Sequence, residues 1–280
     1  LPGDDLKKIL STVASYTNES GAHLVGLNME GPFISVSKKG AQDERNIIPC
    51  DAALFREFQE AARGLIRFIG VAPETGLDRT LDFIREVKGE VSVSLAHTNA
   101  SYTDAKAAFD AGACHAVHLF NAMPAFTHRE PGVVGAVFDS KHVFAELICD
   151  GVHIHPAMVR AAFAMMGAER ICLISDSMRA AGMPDGSYTL GGLAVNVSGK
   201  HATLAEGGAL AGSVTNLADC MRTAVKEMNI PLEEAIRCAT LNPARALHLE
   251  HRYGSIAPGK TGNLVLLNPD LSLKQVIVNG

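Results

Sequence analysis

The chain has 280 residues, of which 47% are apolar, and a formal net charge of −5 at pH 7. A chain of this size buries about three-quarters of the surface that its unfolded form exposes, so we expect one large domain or two small ones, and not a disordered protein. The acidic balance argues against nucleic-acid binding, which normally needs a basic face, and no apolar run reaches the about 20 residues of a membrane helix.

The cysteines and the first residues of the chain indicate the cellular compartment of the protein. The six cysteines lie far apart without a C-x-x-C pair, and several fall within apolar runs. Such cysteines are usually buried and reduced, which predicts a cytoplasmic protein. The chain begins Leu1-Pro2-Gly3 with no signal-peptide pattern, and we expect this start to lie inside a longer protein.

Apolar strand-like runs alternate with amphipathic helical stretches, which predicts an α/β fold. Most of the runs are almost continuously apolar, as in parallel strands that are covered on both faces. The predicted strands are, in chain order, residues 23–29, 66–72, 91–96, 113–118, 143–149 and 171–175.

Helices are predicted between these strands. An apolar stripe at helical spacing marks residues 77–87, and Ser101 followed by Asp104 is typical of a helix start. Pro156 suits the first turn of a further helix.

The pattern changes in the last third of the chain. Residues 182–199 are rich in glycine with short alternating stretches, which predicts a hairpin. Three helices and two short strands, 264–268 and 275–278, are expected to follow.

Chemically capable side chains follow the predicted strands. They are Glu30, Glu74, His97, His118, Asp150 with His153, and Asp176. The carboxyl ends of the strands of a parallel barrel meet at one mouth, where enzymes of that fold keep their active sites. The sequence therefore predicts a (β/α)8 TIM-type barrel over residues 1–254, with its first two strands before Leu1, and residues 255–280 as strands of a small β-domain.

The same side chains predict a metal site. His97 and His118 are neutral imidazole ligands of the kind that zinc prefers, and the carboxylate of Glu30 is a candidate third ligand. A hydrolytic metal also needs a carboxylate that moves protons, and Asp176 is the candidate. Each residue alone fits an ordinary core or capping role, but the shared placement favours a site.

Several motifs resemble a known family. In chain order they are Met29-Glu30-Gly31-Pro32-Phe33, Lys38-Lys39-Gly40-Ala41-Gln42, Ala72-Pro73-Glu74, Ala96-His97-Thr98-Asn99-Ala100, His118-Leu119-Phe120-Asn121-Ala122-Met123, His128-Arg129-Glu130-Pro131-Gly132, Asp150-Gly151-Val152-His153, Ser175-Asp176-Ser177 and Leu210-Ala211-Gly212-Ser213. From about Gly26 onward, the chain resembles the N-acetylglucosamine-6-phosphate deacetylases of the amidohydrolase superfamily.

The resemblance implies roles for individual residues. Glu30, His97 and His118 would hold a divalent metal, most simply Zn²⁺, and Asp176 would be the general base and then the acid. Residues that would contact the amino-sugar phosphate are Ala41, Gln42, Asn121, Ala122, His153, Leu210, Ala211 and Gly212. Arg129 matches an arginine that reaches the phosphate in the neighbouring subunit, which implies a homodimer.

The chain also departs from the family pattern. Many relatives have histidine where this chain has Gln42, whose amide can donate a hydrogen bond to an acetyl carbonyl but carries no charge. Asn28-Met29 stands where relatives often have His-Leu. The H-x-H element of the first barrel strand is absent, so a second metal ion has no assigned ligands.

Alternatives remain beside this interpretation. The substrate could be N-acetylgalactosamine 6-phosphate or another N-acyl compound, or the chain could be a non-catalytic binding subunit. Residues 254–261 fit the P-loop expression G-x-x-x-x-G-K-[ST], but a strand and not a helix is predicted after them, which argues against nucleotide binding.

The sequence also gives expectations for three further residues. Strand alternation from His118 places His115 on the outer, helix-facing side of its strand. Glu74 either orients a ligand or accepts backbone hydrogen bonds, and His155 lies near the mouth as a candidate supporting residue.

Overall fold

A computed structural model describes residues 1–18 and 21–280 of the chain. Its main sheet has six parallel strands in the sequential order β1 to β6, each paired with the next. These strands are β1 Leu27–Phe33, β2 Ile66–Val71, β3 Ser92–Leu95, β4 His115–Ala116, β5 Phe144–Ile148 and β6 Ile171–Ile174.

Helices connect the consecutive strands and surround the sheet. In chain order the helices are α1 Gly3–Ala14, α2 Ala52–Ala61, α3 Leu77–Val87, α4 Tyr102–Ala111, α5 Gly132–Asp139, α6 Pro156–Met166, α7 Leu217–Lys226, α8 Leu232–Ala239 and α9 Leu241–Ala246. Sequential strand order with a helix after each strand is the barrel pattern, whereas a doubly wound sheet would reverse its order. The predicted α/β class and barrel-type topology are confirmed.

Local sequence explains where the helices begin. The Ser101 hydroxyl accepts a hydrogen bond from the Asp104 N–H at 3.1 Å and caps α4. Pro156 occupies the first turn of α6, as predicted. In α3 the predicted stripe faces the core, where Ile84 and Val87 are fully buried.

Most strands differ from their predicted bounds by one or two residues at an end. The largest differences are at β1, which begins at Leu27 and not at residue 23, and at β4. The first was expected to end at residue 29, but β1 continues through Gly31-Pro32 to Phe33, with an irregular register between Met29 and Phe33. The fourth was expected over residues 113–118, but only His115–Ala116 pairs as a strand. Both differences lie where the chain turns to present side chains at the carboxyl end of the sheet.

Two small antiparallel sheets complete the fold. The predicted hairpin is present as β7 Gly186–Leu190 and β8 Leu193–Ser198, and a third strand, β9 His201–Leu204, was not predicted. The two last strands pair as β10 Leu264–Leu267 and β11 Leu273–Ile277. Among the described residues, none of the helices has the length and apolar character needed to span a membrane.

The core lies between the main sheet and its helices. One large cluster of buried side chains includes Phe55, Ile69, Leu95 and Leu147. The six cysteines are free thiols, and five of them are buried, as the sequence predicted.

Candidate active site

The candidate ligands come from three strands of the main sheet, β1, β3 and β4. Glu30 lies in the irregular part of β1, His97 follows β3 and His118 follows β4. His97 and His118 both have left-handed backbone conformations, with φ of 43° and 32°. Non-glycine residues rarely adopt this conformation, and such residues concentrate at functional sites because the surrounding structure must stabilise them.

One carboxylate oxygen joins the two imidazoles. Glu30 Oε1 lies 2.9 Å from His97 Nε2 and 2.7 Å from His118 Nε2. One donor atom from each of the three residues lies within 4.8 Å of the other two. Two imidazole nitrogens and one carboxylate oxygen at this spacing can hold a single transition-metal ion such as zinc.

The other ring nitrogens fix the orientation of both histidines. His97 Nδ1 lies 2.6 Å from the carbonyl oxygen of Lys38, and His118 Nδ1 lies 3.2 Å from that of Asn121. A carbonyl oxygen only accepts, so each Nδ1 carries the proton and each Nε2 points at the shared site. This is the arrangement that metal-binding histidines use.

The charges of these groups are strongly perturbed. Burial acts to raise the pKa of the Glu30 carboxyl. Hydrogen bonds from His118 and His97 outweigh burial and hold this pKa well below its usual range. Burial also acts against the His118 imidazolium, but the hydrogen bond with Glu30 raises the His118 pKa to about 9. A cation that binds here must displace the proton from Nε2, so its affinity depends on pH.

Asp176 faces the same cavity from the end of β6. It too has a left-handed backbone, with φ of 47°, and its carbonyl oxygen accepts a hydrogen bond from the Ser213 N–H at 2.8 Å. The cavity leaves its side chain open to solvent, but the surrounding walls partly desolvate the carboxyl and raise its pKa; His118 opposes this rise and Glu30 adds to it. A carboxyl of this kind is suited to proton transfer.

A cavity of about 580 Å³ contains these groups. Of the residues predicted to contact substrate, those that line it are Ala41, Gln42, Asn121, Ala122, His153, Leu210 and Gly212. Gly212 packs closely against Asp176, because a Cβ on it would lie 3.0 Å from the Asp176 carbonyl oxygen, and its φ of +64° also favours glycine.

Two predicted contact residues do not line the cavity. Ala211 is 1% exposed and packs in a small core with residues of the β7–β8–β9 sheet. Arg129 is exposed on a loop, where its Nη1 donates to His128 Nε2 at 2.7 Å. Within this chain, Arg129 therefore remains outside the site that the other residues form.

His153 is held by a buried carboxylate. Its Nδ1–H donates to Asp150 Oδ2 at 2.7 Å, and Asp150 Oδ1 accepts the N–H groups of Val152 and His153, each at 2.9 Å. Although burial favours the neutral acid, these hydrogen bonds lower the pKa of Asp150. The Nε2 atom of His153 is left for the cavity.

Glu74 supports the loop that follows His97. Its carboxylate accepts the Thr98 hydroxyl at 2.6 Å and the Asn99 N–H at 2.5 Å. Of the two roles considered for Glu74, the structure thus shows the acceptor role. His155, also considered as a supporting residue, is exposed and accepts the Ala157 N–H at the start of α6.

The prediction for His115 is wrong. Its ring packs on Phe68 with centroids 4.6 Å apart, and its Nε2 lies 2.9 Å from Glu146 Oε1. These side chains share the face of the sheet opposite to Ala116, which belongs to the helix-packed core. Strand alternation does not extend from His118 to His115, because the left-handed turn at His118 breaks it.

Sequence reasoning also missed two supporting residues. Glu146 Oε2 accepts the backbone N–H of His118 at 3.2 Å from inside the sheet, and Lys38 supplies the carbonyl that binds His97. Glu146 stands alone as a charged residue within the apolar run of β5, and this was the signal that could have identified it as a supporting residue. A main-chain carbonyl has no signal in the sequence.

The sequence was compared with those of known protein families. The sequence profile of the amidohydrolase family matches residues 12–280. The chain belongs to the amidohydrolase family. Members of this family use metal-dependent hydrolysis, and the cluster of Glu30, His97 and His118 offers a site for the ion.

Two curated relatives of this chain are sugar-phosphate deacetylases. The chain is 39% identical to an N-acetylglucosamine-6-phosphate deacetylase of Bacillus subtilis over 93% of its own length and 65% of that protein. It is 38% identical to an N-acetylgalactosamine-6-phosphate deacetylase of Escherichia coli O157:H7, over 93% of the chain and 68% of the relative. The chain thus spans about two thirds of the length of these curated relatives.

A solved structure is similar over the whole chain. It is an N-acetyl-D-glucosamine-6-phosphate deacetylase variant of Mycobacterium smegmatis, in complex with N-acetyl-D-glucosamine-6-phosphate. The TM-score is 0.92 at 34% sequence identity, and the match covers 100% of this chain and 73% of that one. The arrangement of strands and loops described above is therefore that of a deacetylase fold.

Proposed function

We propose that this chain carries the active site of a metal-dependent hydrolase that converts N-acetylglucosamine 6-phosphate into glucosamine 6-phosphate and acetate. The observation that carries the proposal is the shared contact of Glu30 Oε1 with the Nε2 atoms of His97 and His118, in a cavity that also contains Asp176. The similarity to deacetylases of this specificity supports the substrate class.

We propose Zn²⁺ as the ion that Glu30, His97 and His118 bind. Two imidazoles and a carboxylate leave at least one coordination position for water or substrate, as catalytic zinc sites require. When bound, such an ion polarises the acetyl carbonyl and lowers the pKa of water. The second nitrogens of both histidines already donate to main-chain carbonyls, so the chain prepares these ligands.

Asp176 moves the proton in this proposal. Its carboxylate takes a proton from the attacking water as the water oxygen bonds to the acetyl carbon. It then gives that proton to the amide nitrogen as the carbon–nitrogen bond breaks, which leaves acetate and the free amine. Because partial burial raises the pKa of Asp176, the group can both accept and return a proton.

The cavity wall would bind the sugar phosphate. His153, fixed by Asp150, presents Nε2 to the cavity, and Asn121 and Ala122 lie in the turn after His118. Leu210 and Gly212 also line the cavity, Ala211 between them is buried in a small core, and Ala41 lies on the loop next to Gln42.

Arg129 would serve a neighbouring subunit. It is exposed on a loop and does not line the cavity of its own chain, yet a guanidinium group is well suited to bind phosphate oxygens. We therefore propose a homodimer in which each Arg129 reaches the phosphate in the partner's site. Six free cysteines suit a reducing compartment, and we propose the cytoplasm.

The role of Asp176 gives a direct test of the reaction. Asp176→Asn keeps the size of the side chain but cannot accept the proton, so kcat is expected to fall by about 100- to 10,000-fold. The measurement is acetate release together with the metal content of the purified protein, which should match that of the wild type. Turnover at the wild-type rate would reject the assigned role.

N-acetylgalactosamine 6-phosphate is a second candidate substrate, because the chain is almost equally similar to a deacetylase of that sugar. Identity to the N-acetylgalactosamine-6-phosphate deacetylase is 38%, against 39% for the glucosamine-type relative. The two sugars differ only in the configuration at one hydroxyl, so kcat/KM on each compound decides between them. The proposal requires the higher value for N-acetylglucosamine 6-phosphate. A protein that cleaves neither sugar and holds no stoichiometric metal would instead be a binding subunit.

A further inference from the structure

The loop over residues 38–42 contacts two of the three candidate ligands. Its first residue, Lys38, accepts the Nδ1–H of His97 through its carbonyl oxygen at 2.6 Å. Its last residue, Gln42, donates from Nε2 to Glu30 Oε2 at 3.1 Å. Ala41 and Gln42 were expected to contact the substrate, but in the structure Lys38 and Gln42 hydrogen-bond to two of the candidate metal ligands.

The two oxygens of Glu30 have different partners. Oε1 faces both imidazoles, whereas Oε2 faces the Gln42 amide. An amide N–H at Oε2 restrains rotation of the carboxylate, so that Oε1 stays between His97 and His118. Because the amide is a donor, the contact also favours the ionised form of Glu30, which a bound ion would need.

The loop itself is well fixed. The Gln42 N–H donates to the Lys39 carbonyl at 3.0 Å, and Lys38 Nζ donates to the Met123 carbonyl at 3.0 Å, next to the turn that holds His118. Gly40 has a φ of +56°, and a Cβ on it would lie 3.1 Å from His97 Cε1. A side chain at this position would press on the histidine, so the loop and the ligand are fitted to each other.

We propose that Gln42 is a positioning residue for metal binding, which acts by holding Glu30 with Oε1 directed at the two imidazoles. This inference rests on the proposed metal-dependent function and gives Gln42 a role before any substrate binds. Groups that hydrogen-bond to a ligand typically contribute about 10- to 100-fold to metal affinity or activity. An effect of that size is expected in the absence of the sugar.

The test measures metal affinity without substrate. Gln42→Met and Gln42→Leu remove the amide donor but retain a side chain of similar length or bulk. The dissociation constant for Zn²⁺, measured by competition with a chromophoric chelator, should rise by about 10- to 100-fold in both variants. These dissociation constants are measured without sugar phosphate, so a contact between Gln42 and the substrate would not change them.

The control is the same pair of substitutions at Gln275, which is exposed on β11. These should leave Zn²⁺ affinity unchanged, and circular dichroism should show that all four variants are folded. Zn²⁺ affinity within twofold of wild type in the Gln42 variants, with a raised KM for the sugar phosphate, would overturn the proposal and make Gln42 a substrate contact. If the wild type binds Zn²⁺ but cleaves no sugar phosphate, the proposed function fails, while the affinity comparison still tests Gln42.

Discussion

At the scale of single residues, main-chain carbonyls orient the two histidines that face Glu30. Histidine and carboxylate side chains at successive strand ends are visible in a sequence, because parallel strands present their carboxyl ends at one edge. The main-chain carbonyls of Lys38 and Asn121 that orient the histidines leave no such trace. The left-handed turn at His118 also has no signal in the sequence. Because of this turn, His115 faces the side of the sheet opposite to the one predicted.

Asp150 gives a prediction about stability and pH. Asp150→Asn should lower the free energy of unfolding at pH 7 by about 1–3 kcal/mol, because a buried, charge-assisted hydrogen bond with the His153 ring is lost. The folded-state pKa of Asp150 is lowered, so its contribution is complete above the unfolded-state pKa of about 3.9 and is lost as pH falls through the folded-state value. Urea unfolding at a series of pH values measures this difference.

The control for this prediction is Asp82→Asn, at an exposed residue that pairs with Arg85 on the surface of α3. A surface pair contributes about 0–1 kcal/mol, so little change is expected there at any pH. A difference between wild type and Asp150→Asn that stayed constant down to pH 3 would show that ionisation of Asp150 does not stabilise the fold.

At the scale of elements, continuous apolar runs located the parallel strands because both of their faces are covered. The first strand was predicted over residues 23–29, but β1 spans Leu27–Phe33, because an irregular register lets the strand continue through Pro32. Strand β9 was missed because His201–Leu204 is too short to show alternation. It follows β8 after the two residues Gly199-Lys200 and pairs with it in an antiparallel hairpin, which stabilises it.

Arg170 connects the ends of two helices and gives a prediction at this scale. Its guanidinium donates to carbonyls near the end of α5, including Val137 at 3.1 Å and Ser140 at 2.9 Å, and to Met166 at the end of α6 at 3.3 Å. Arg170→Lys leaves most of these carbonyls without a donor and should reduce the free energy of unfolding by about 1–3 kcal/mol.

Chemical denaturation measures this change, and Arg245→Lys on the exposed face of α9 is the matched control. Equal stability of the two variants would mean that water satisfies these carbonyls as well as the guanidinium does.

At the scale of the whole molecule, the family assignment rests on the match of the amidohydrolase profile to residues 12–280. A (β/α) architecture alone hosts many reactions, so the function rests on the site and not on the fold. The domain boundary after residue 254 and the dimer stay predictions. Assembly leaves little signal in a sequence, because an exposed Arg129 has the same local pattern whether it binds solvent or a partner's substrate.

The dimer prediction can be tested by complementation. Arg129→Ala and Asp176→Asn chains are each expected to lose most activity on the sugar phosphate. Co-expression should restore turnover, because the Arg129→Ala chain keeps Asp176 and receives Arg129 from its partner. Two different affinity tags on the two chains, purified in tandem, check that mixed dimers form. Activity of these mixed dimers no greater than the sum of the separate variants would contradict a shared site.

The central claim is that Glu30, His97 and His118 bind one divalent ion on which amide hydrolysis depends. Its most direct test is acetate release from N-acetylglucosamine 6-phosphate before and after removal of metal by a chelator. Turnover should disappear on removal and return with about one equivalent of Zn²⁺ per chain. Unchanged turnover in protein shown by elemental analysis to be free of metal would contradict the claim.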